Sequence, residues 1–268
     1  MLASLKKKGY RKVLKTLRDG KTIWLTGTGP RDTGQSDFKN RFTLHDLSRL
    51  MPIYNATGYF SVEVHGGARL HQNLMNNMIH PFEEARLFSE RMPNVLTQTL
   101  IRATNVWGYR MYPRNIVRLA VESFLPTIDV WRCFDFLNYV PNMAPVAEEV
   151  LRGGKIFSPA ISFTESPECS DAYYLRVLKE IVSLCGGTRD IILCVKDMAG
   201  VGSPARIRRL IEAFLQKYPG LVIQYHRHST DGLVIPAMAA AAAAGAKVFD
   251  VTDDAFSRFY GHPPGRPR

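Results

Sequence analysis

The chain has 268 residues, of which 46% are hydrophobic and 22% are charged, a composition typical of a soluble globular protein. Its formal net charge of +11 at pH 7 lies largely at the two ends, with no nucleic-acid module between them, so we expect no nucleic-acid partner. The most apolar window, 232–249, is mostly alanine and contains a proline, which predicts no membrane span. Unpaired cysteines and the lack of an apolar signal segment predict a cytoplasmic protein.

Short runs of β-branched and aromatic residues alternate along the chain with longer amphipathic stretches. The predicted strands are 22–28, 59–66, 95–103, 128–135, 155–163, 190–197, 221–228 and 246–253. The predicted helices between them are about 44–57, 71–92, 113–125, 140–152, 171–185, 203–217 and 232–244. Eight strands separated by seven helices predict an α/β fold, a parallel (β/α)8 TIM barrel, for which roughly 250 residues is the ordinary size.

The two ends of the chain differ from the predicted barrel, which occupies 21–256. The basic segment 1–20 has apolar residues at helical spacing, which predicts a helix covering the bottom of the barrel; they are Leu5, Val13, Leu14 and Leu17. The last segment, 257–268, is rich in proline and glycine and predicts a tail. We therefore expect the normal last helix to be missing or to be supplied by something else.

Polar side chains recur where the predicted strands end, which is the rim that carries the active site in this fold. They are Arg31, Asp32 and Gln35 after the first strand, Glu63 in the second, Arg102 in the third, Arg132 and Asp135 in the fourth, Lys196 in the sixth, and His226 and His228 in the seventh. Residues two apart on a strand share a face, so the two histidines point together and Arg227 points away. With Asp32 and Lys196 at equivalent strand ends, this pattern predicts a metal site. Arg132 and Asp135 are interpreted as a buried ion pair.

Seven sequence blocks, in order, resemble the biotin-dependent carboxyltransferase barrels of pyruvate carboxylase, the oxaloacetate decarboxylase alpha subunit and the transcarboxylase 5S subunit. The blocks are "RDTGQS", "EVHGGA", "LIRATNVWGY", "WRCFDFLN", "AISFTESP", "CVKDMAGV" and "YHRHSTDGL". The resemblance covers about 22–254. These barrels belong to a wider set shared with isopropylmalate synthase and hydroxymethylglutaryl-CoA lyase, and the lysine of "CVKDMAGV" distinguishes the carboxyltransferase branch.

The resemblance implies a role for each matched residue. Asp32, His226 and His228 match metal ligands, and Lys196 matches a lysine that is carboxylated on its amine before it binds the metal. Gln35 and Arg102 match groups that hold the keto acid, and Tyr109 is expected to line the same pocket. Arg31 and Glu63 match an ion pair at the barrel mouth, for which a purely structural role in fixing the first loop is the favoured interpretation.

The implied reaction moves a carboxyl group between carboxybiotin and an enolisable 2-oxo acid of the pyruvate or oxaloacetate type. A lysine carbamate offers an anionic oxygen where a free ammonium has no lone pair, so two anions and two imidazoles suit a divalent ion. Zinc is the first choice, with manganese or cobalt as alternatives. The expected partners are a biotin carrier protein, because the chain has no biotinyl-lysine motif, a biotin carboxylase subunit and a second copy in a homodimer.

Two departures from the family pattern leave alternatives open. Gly34 stands where the family has a histidine, and the C-terminal funnel region that helps to form the biotin pocket is not seen after the last strand. Another chain completes the site, the sequence is a fragment, or the activity has changed. A biotin-independent, metal-dependent carbon–carbon lyase, aldolase or decarboxylase acting on a 2-oxo acid is the second hypothesis, and a scaffold subunit with a structural metal is the third.

Overall fold

The computed structural model describes residues 6–253, 257 and 262–265. The strands are β1 (Trp24–Gly27), β2 (Ser61–Gly66), β3 (Leu96–Ile101), β4 (Val130–Phe134), β5 (Ile156–Ser162), β6 (Ile192–Asp197), β7 (Val222–Arg227) and β8 (Val248–Val251). The longer helices are α1 (Tyr10–Asp19), α2 (Leu44–Ala56), α3 (Pro81–Arg91), α4 (Arg114–Phe124), α5 (Ala144–Arg152), α6 (Asp171–Leu184), α7 (Pro204–Lys217) and α8 (Val234–Ala244).

The eight strands form one closed barrel in chain order. Every neighbouring pair is parallel, and β1 closes the barrel by pairing with β8 from Trp24 opposite Val248 to Gly27 opposite Val251. Each strand lies within its predicted range, because buried parallel strands read as continuous apolar, β-branched runs. The predicted TIM barrel is confirmed.

Helix α1 covers the amino-terminal end of the barrel. Its buried residues Val13, Leu14 and Leu17 pack in one cluster with the first residues of the strands, including Trp24, Leu96, Val130, Ile156, Ile192, Val222 and Val248. The predicted helix that covers the bottom of the barrel is therefore confirmed, although Leu5 lies outside the described residues. The opposite end of the barrel remains as the mouth, where the strands terminate. The division of the chain into segments at residues 20 and 256 stays a prediction.

Two helices differ from the predicted ranges. The stretch 71–92 is not one helix, because short turns at Arg69–Gln72 and Asn73–Asn77 end at Met78, whose φ of 52° is left-handed. Helix α3 then begins at Pro81, a residue that fits the first helical position but not a helix interior. The stretch 140–152 begins with a 3-10 turn, Val140–Met143, before α5.

In the described part of the chain, no helix follows β8. Residues 262–265 instead run beside the end of this strand. The Thr252 amide donates to the Pro263 carbonyl over 2.9 Å, and the Gly265 amide donates to the Thr252 carbonyl over 3.0 Å. His262 and Pro263 are buried by this return. A part of the predicted tail therefore lies against the barrel mouth.

None of the helices within the described ranges combines the length and the apolar character needed to cross a bilayer.

His65 in β2 links stability to pH. Its ring is fully buried, with centroids 5.0 Å from Trp107 and 4.5 Å from Phe124, and burial lowers its pKa to about 3. Below pH 6.5 the His65 ring is protonated in the unfolded chain but stays neutral in the folded chain. Its contribution to the free energy of unfolding is therefore fully present above pH 6.5 and is lost as the pH drops toward 3. Between pH 7.5 and 5.5, we expect the wild type to lose about 1.4 kcal/mol more unfolding free energy than His65→Phe.

Urea unfolding at the two pH values measures this difference. The exposed residue His45 provides the matched control, since His45→Gln should keep the pH dependence of the wild type. Equal pH dependence in the wild type and His65→Phe would contradict the prediction.

Candidate metal centre

Four side chains meet at the mouth of the barrel: Asp32, His226, His228 and His262. Each offers one ligand atom, and these atoms all lie within 4.8 Å of one another. Oδ2 of Asp32 is 3.7 Å from Nε2 of His226, 3.5 Å from Nε2 of His228 and 3.0 Å from Nε2 of His262. The carboxylate oxygen is therefore faced by three imidazole nitrogens in a nearly closed space.

A wide helical turn after β1, Gly29–Thr33, places Asp32 at this point. The Asp32 amide donates to the Thr28 carbonyl over 3.0 Å. Arg31, next to it, donates through Nε to Glu63 over 2.7 Å and lies 2.9 Å from Oδ2 of Asp32, so the predicted Arg31–Glu63 pair is confirmed. Burial would raise the pKa of Asp32, but Arg31 and His228 outweigh that effect and hold it well below its usual range. Asp32 is thus a carboxylate.

The ring of His226 is held from behind by Asp250 of β8. Nδ1 of His226 lies 2.6 Å from Oδ2 of Asp250, and because a carboxylate only accepts, this nitrogen donates and Nε2 is left for a ligand. Burial and the neighbouring Lys196 lower the pKa of His226 well below its usual value, which favours the neutral ring. Metal-bound histidines commonly have such a carboxylate partner on the other nitrogen.

Arg132 holds Asp250 in turn. Its two terminal nitrogens donate to the Asp250 carboxylate over 2.5 and 2.9 Å, and both residues are fully buried. The predicted ion pair between Arg132 and Asp135 is therefore wrong. Asp135 accepts from the Leu137 and Tyr139 amides over 2.9 and 3.1 Å and shapes the loop after β4. Arg132 points into the barrel interior, where Asp250 of β8 and, at 3.5 Å, Glu63 of β2 are within reach.

Lys196 of β6 is 4% exposed, and its Nζ lies 2.7 Å from Nε2 of His226. Burial lowers the pKa of its amine. The carboxylate of the next residue, Asp197, contacts Arg227 over 3.1 Å and accepts from the Val201 and Gly202 amides. Arg227 points away from His226, as the strand alternation predicts.

His262 is the member of the cluster that sequence reasoning missed. It is completely buried, 230 positions from Asp32 along the chain, in the segment predicted to be a tail. The available signal was weak: a single histidine within "GHPP" beyond the last strand. A lone histidine has no spacing partner, so the sequence offered no pattern to place it.

The predicted substrate residues lie on neighbouring loops of the same rim, away from the four ligand atoms. Arg102 donates to the carbonyls of Trp107 and Gly108 over 3.1 and 3.3 Å, and its guanidinium carbon lies 5.0 Å from the ring centroid of Tyr109. Gln35 accepts from the Ala68 amide over 3.2 Å. A side chain at Gly67, whose φ is +59°, would approach Oε1 of Gln35 to 2.8 Å, so glycine keeps this corner open.

The cluster fits a divalent metal ion of the zinc, manganese or cobalt type. Imidazole nitrogens and a carboxylate oxygen are ligands that all three accept. The described cysteines lie elsewhere and are free, with Cys133 and Cys194 buried, so the donor set contains no sulfur. The molecule is thus a TIM barrel whose mouth carries a cluster of nitrogen and oxygen donors that could hold a metal ion.

Comparison with known proteins agrees with this class. No protein-family model matches the chain. The chain is 34% identical over 271 residues to mitochondrial pyruvate carboxylase of Rattus norvegicus, an alignment of 97% of this chain and 22% of the relative. It is 30% identical over 244 residues to a pyruvate carboxylase subunit of Methanocaldococcus jannaschii, covering 90% of this chain and 42% of the relative.

Solved structures give the same result. The carboxyl transferase domain of Rhizobium etli pyruvate carboxylase with pyruvate and biocytin superposes with a TM-score of 0.90 at 32% identity, over 97% of this chain and 44% of that one. The same domain with 3-bromopyruvate gives a TM-score of 0.91. The chain belongs to the biotin-dependent carboxyltransferase family, and it spans less than half the length of these relatives.

Proposed function

We propose that this chain is the carboxyltransferase part of a biotin-dependent enzyme and moves a carboxyl group between carboxybiotin and a 2-oxo acid of the pyruvate or oxaloacetate type. The observation that carries the proposal is the convergence of Asp32, Lys196, His226 and His228 at one point of the mouth. Three of the similar structures are named for their complexes with pyruvate, which favours a small 2-oxo acid here.

In this proposal Asp32, His226, His228 and a carbamate on Lys196 hold the ion. Burial, together with the charges of Arg31 and Arg132, lowers the pKa of the Lys196 amine, which favours the neutral form that adds carbon dioxide. These cations would stabilise the negative charge of a carbamate. A metal bound there supplies a Lewis acid for the oxygen of the oxo acid.

The remaining proposed roles belong to groups on the neighbouring loops. Arg102 would bind the substrate carboxylate, because a planar guanidinium fits two oxygens and its ring neighbour Tyr109 holds it in place. Gln35 would donate its amide N–H to the substrate oxygen, since its Oε1 is already directed at the Ala68 amide. Together these groups would orient the methyl carbon of the acid toward the incoming carboxyl group.

The proposal requires further partners. Biotin would arrive on a carrier that is charged by a biotin carboxylase. An apolar groove beside the barrel offers a contact surface for a partner, since Ile23 and Ile235 in it are 51% and 55% exposed and Leu25, Met238 and Phe249 also line it. A homodimer in the cytoplasm remains the expected state.

Oxaloacetate decarboxylation with and without free biotin tests the proposal. We expect the metal-loaded chain to release pyruvate faster when biotin is present, because biotin accepts the carboxyl group, and we expect Lys196→Gln to abolish the biotin-dependent part. The chain should first be reconstituted with its partners, with a carrier that lacks its own biotin. Equal rates with and without biotin would instead favour the metal-dependent lyase or decarboxylase, and no turnover by the reconstituted assembly would exclude both.

A further inference from the structure

We infer that His262 is a further ligand of the same metal ion, so that Asp32, His226, His228 and His262 form a four-donor site that does not depend on a carbamate at Lys196. The inference deepens the proposed function and rests on its metal centre. It concerns a residue outside the seven sequence blocks that carry the family resemblance.

The hydrogen bonds of His262 determine which nitrogen faces the cluster. Its Nδ1 lies 3.0 Å from the carbonyl oxygen of Arg227, and a carbonyl only accepts, so Nδ1 carries the hydrogen. In the neutral ring Nε2 then has a free lone pair, and this atom lies 3.0 Å from Oδ2 of Asp32. Two acceptor atoms this close repel each other unless a cation joins them.

The other imidazoles present the same atom to the same point. His226 uses Nδ1 to donate to Asp250, and its Nε2 faces Asp32. The ring centroid of His262 lies 4.4 Å from that of His226 and 4.6 Å from that of His228, at interplanar angles of 73° and 47°. Packing alone does not explain why each ring directs one nitrogen toward the same carboxylate, whereas a shared metal ion does.

The backbone holds His262 in this place. Thr252, which follows β8, pairs with Pro264 in a parallel bridge, and the side chain of Thr33 beside Asp32 contacts that of Thr252 over 2.7 Å. The segment carrying His262 is thereby tied to the turn carrying Asp32. A carbonyl partner for the distant ring nitrogen is also the usual outer contact of a metal-bound histidine.

Titration of chelator-treated protein with Co²⁺ in carbon-dioxide-free buffer tests the inference, because Lys196 then has no carbamate to contribute. The variant is His262→Asn, whose side-chain amide can still donate to the Arg227 carbonyl but has no atom at the position of Nε2. We expect its Kd for Co²⁺ to rise at least about tenfold, since loss of an outer-shell partner alone costs about 10–100-fold, and we expect the visible Co²⁺ absorption bands to shift. His45→Asn is the control and should bind Co²⁺ like the wild type.

A second measurement on the wild type guards against misfolding of the variant. Nitrogen NMR of protein with labelled histidines should show three rings whose Nε2 signals move on addition of Zn²⁺. Two moving rings, or a His262→Asn variant with the wild-type Kd and absorption bands, would overturn the inference and leave the proposed function standing. Three moving rings without biotin-dependent decarboxylation would support the inference about His262 and exclude the proposed function. Failure of the wild type to bind Co²⁺ or Zn²⁺ would overturn both.

Discussion

Asp32→Asn is expected to release the metal and to stop carboxyl transfer. Oδ2 of Asp32 is the one atom that all three imidazole nitrogens face, at 3.0 to 3.7 Å. Asp32 is also the anionic ligand of the cluster that needs no covalent modification. An asparagine oxygen keeps the shape but not the charge, and divalent ions bind neutral amide oxygens far more weakly. We expect the Kd for Co²⁺ or Zn²⁺ to rise by at least about 100-fold and biotin-dependent turnover to fall to background.

The fold should survive this change, because Arg31 keeps Glu63 as its partner over 2.7 Å. Metal titration and thermal unfolding in the presence of a chelator measure the two effects separately. Asp37→Asn, a half-buried acid five positions further along the chain, is the matched control and should retain the ion. An Asp32→Asn variant that binds metal with the affinity of the wild type would exclude the proposed centre.

Arg132→Met is expected to give the largest loss of stability among the substitutions considered. Arg132 is fully buried, joined to Asp250 over 2.5 and 2.9 Å and 3.5 Å from Glu63. Removing the guanidinium leaves the buried carboxylate of Asp250 without its cationic partner, and breaking a buried pair in this way costs about 3–5 kcal/mol. We expect the free energy of unfolding, measured in urea with chelator present, to fall by that amount.

The double variant Arg132→Met with Asp250→Leu separates lost charge balance from lost packing. Because apolar replacement of both partners of a buried pair is often nearly neutral, it should recover at least half of the lost stability. It should not recover metal affinity, since Asp250 also fixes Nδ1 of His226. Arg118→Met, which removes an exposed pair with Glu122 on α4, should leave stability unchanged. A loss of stability in Arg132→Met no larger than that of this control would show that the buried pair contributes nothing.

Sequence reasoning placed those features that follow from local patterns. The eight strands were found because buried parallel strands are continuous apolar runs, and the His226 and His228 pair was found because strand residues alternate. Asp32 and Lys196 followed from their positions at strand ends. The break before α3 could also have been read from Pro81, a residue that starts a helix but does not continue one.

Tertiary structure alone decided which groups meet through space. Arg132 has Asp250 rather than the nearby Asp135 as its partner because its side chain enters the barrel, where β8 is in reach and the loop after β4 is not. His262 joins Asp32 because barrel closure between β1 and β8 brings the segments that follow these two strands to one rim, and the bridge between Thr252 and Pro264 holds it there. Local sequence patterns thus predict the barrel and most of its rim residues, whereas contacts across 118 and 230 positions depend on barrel closure, which no local pattern encodes.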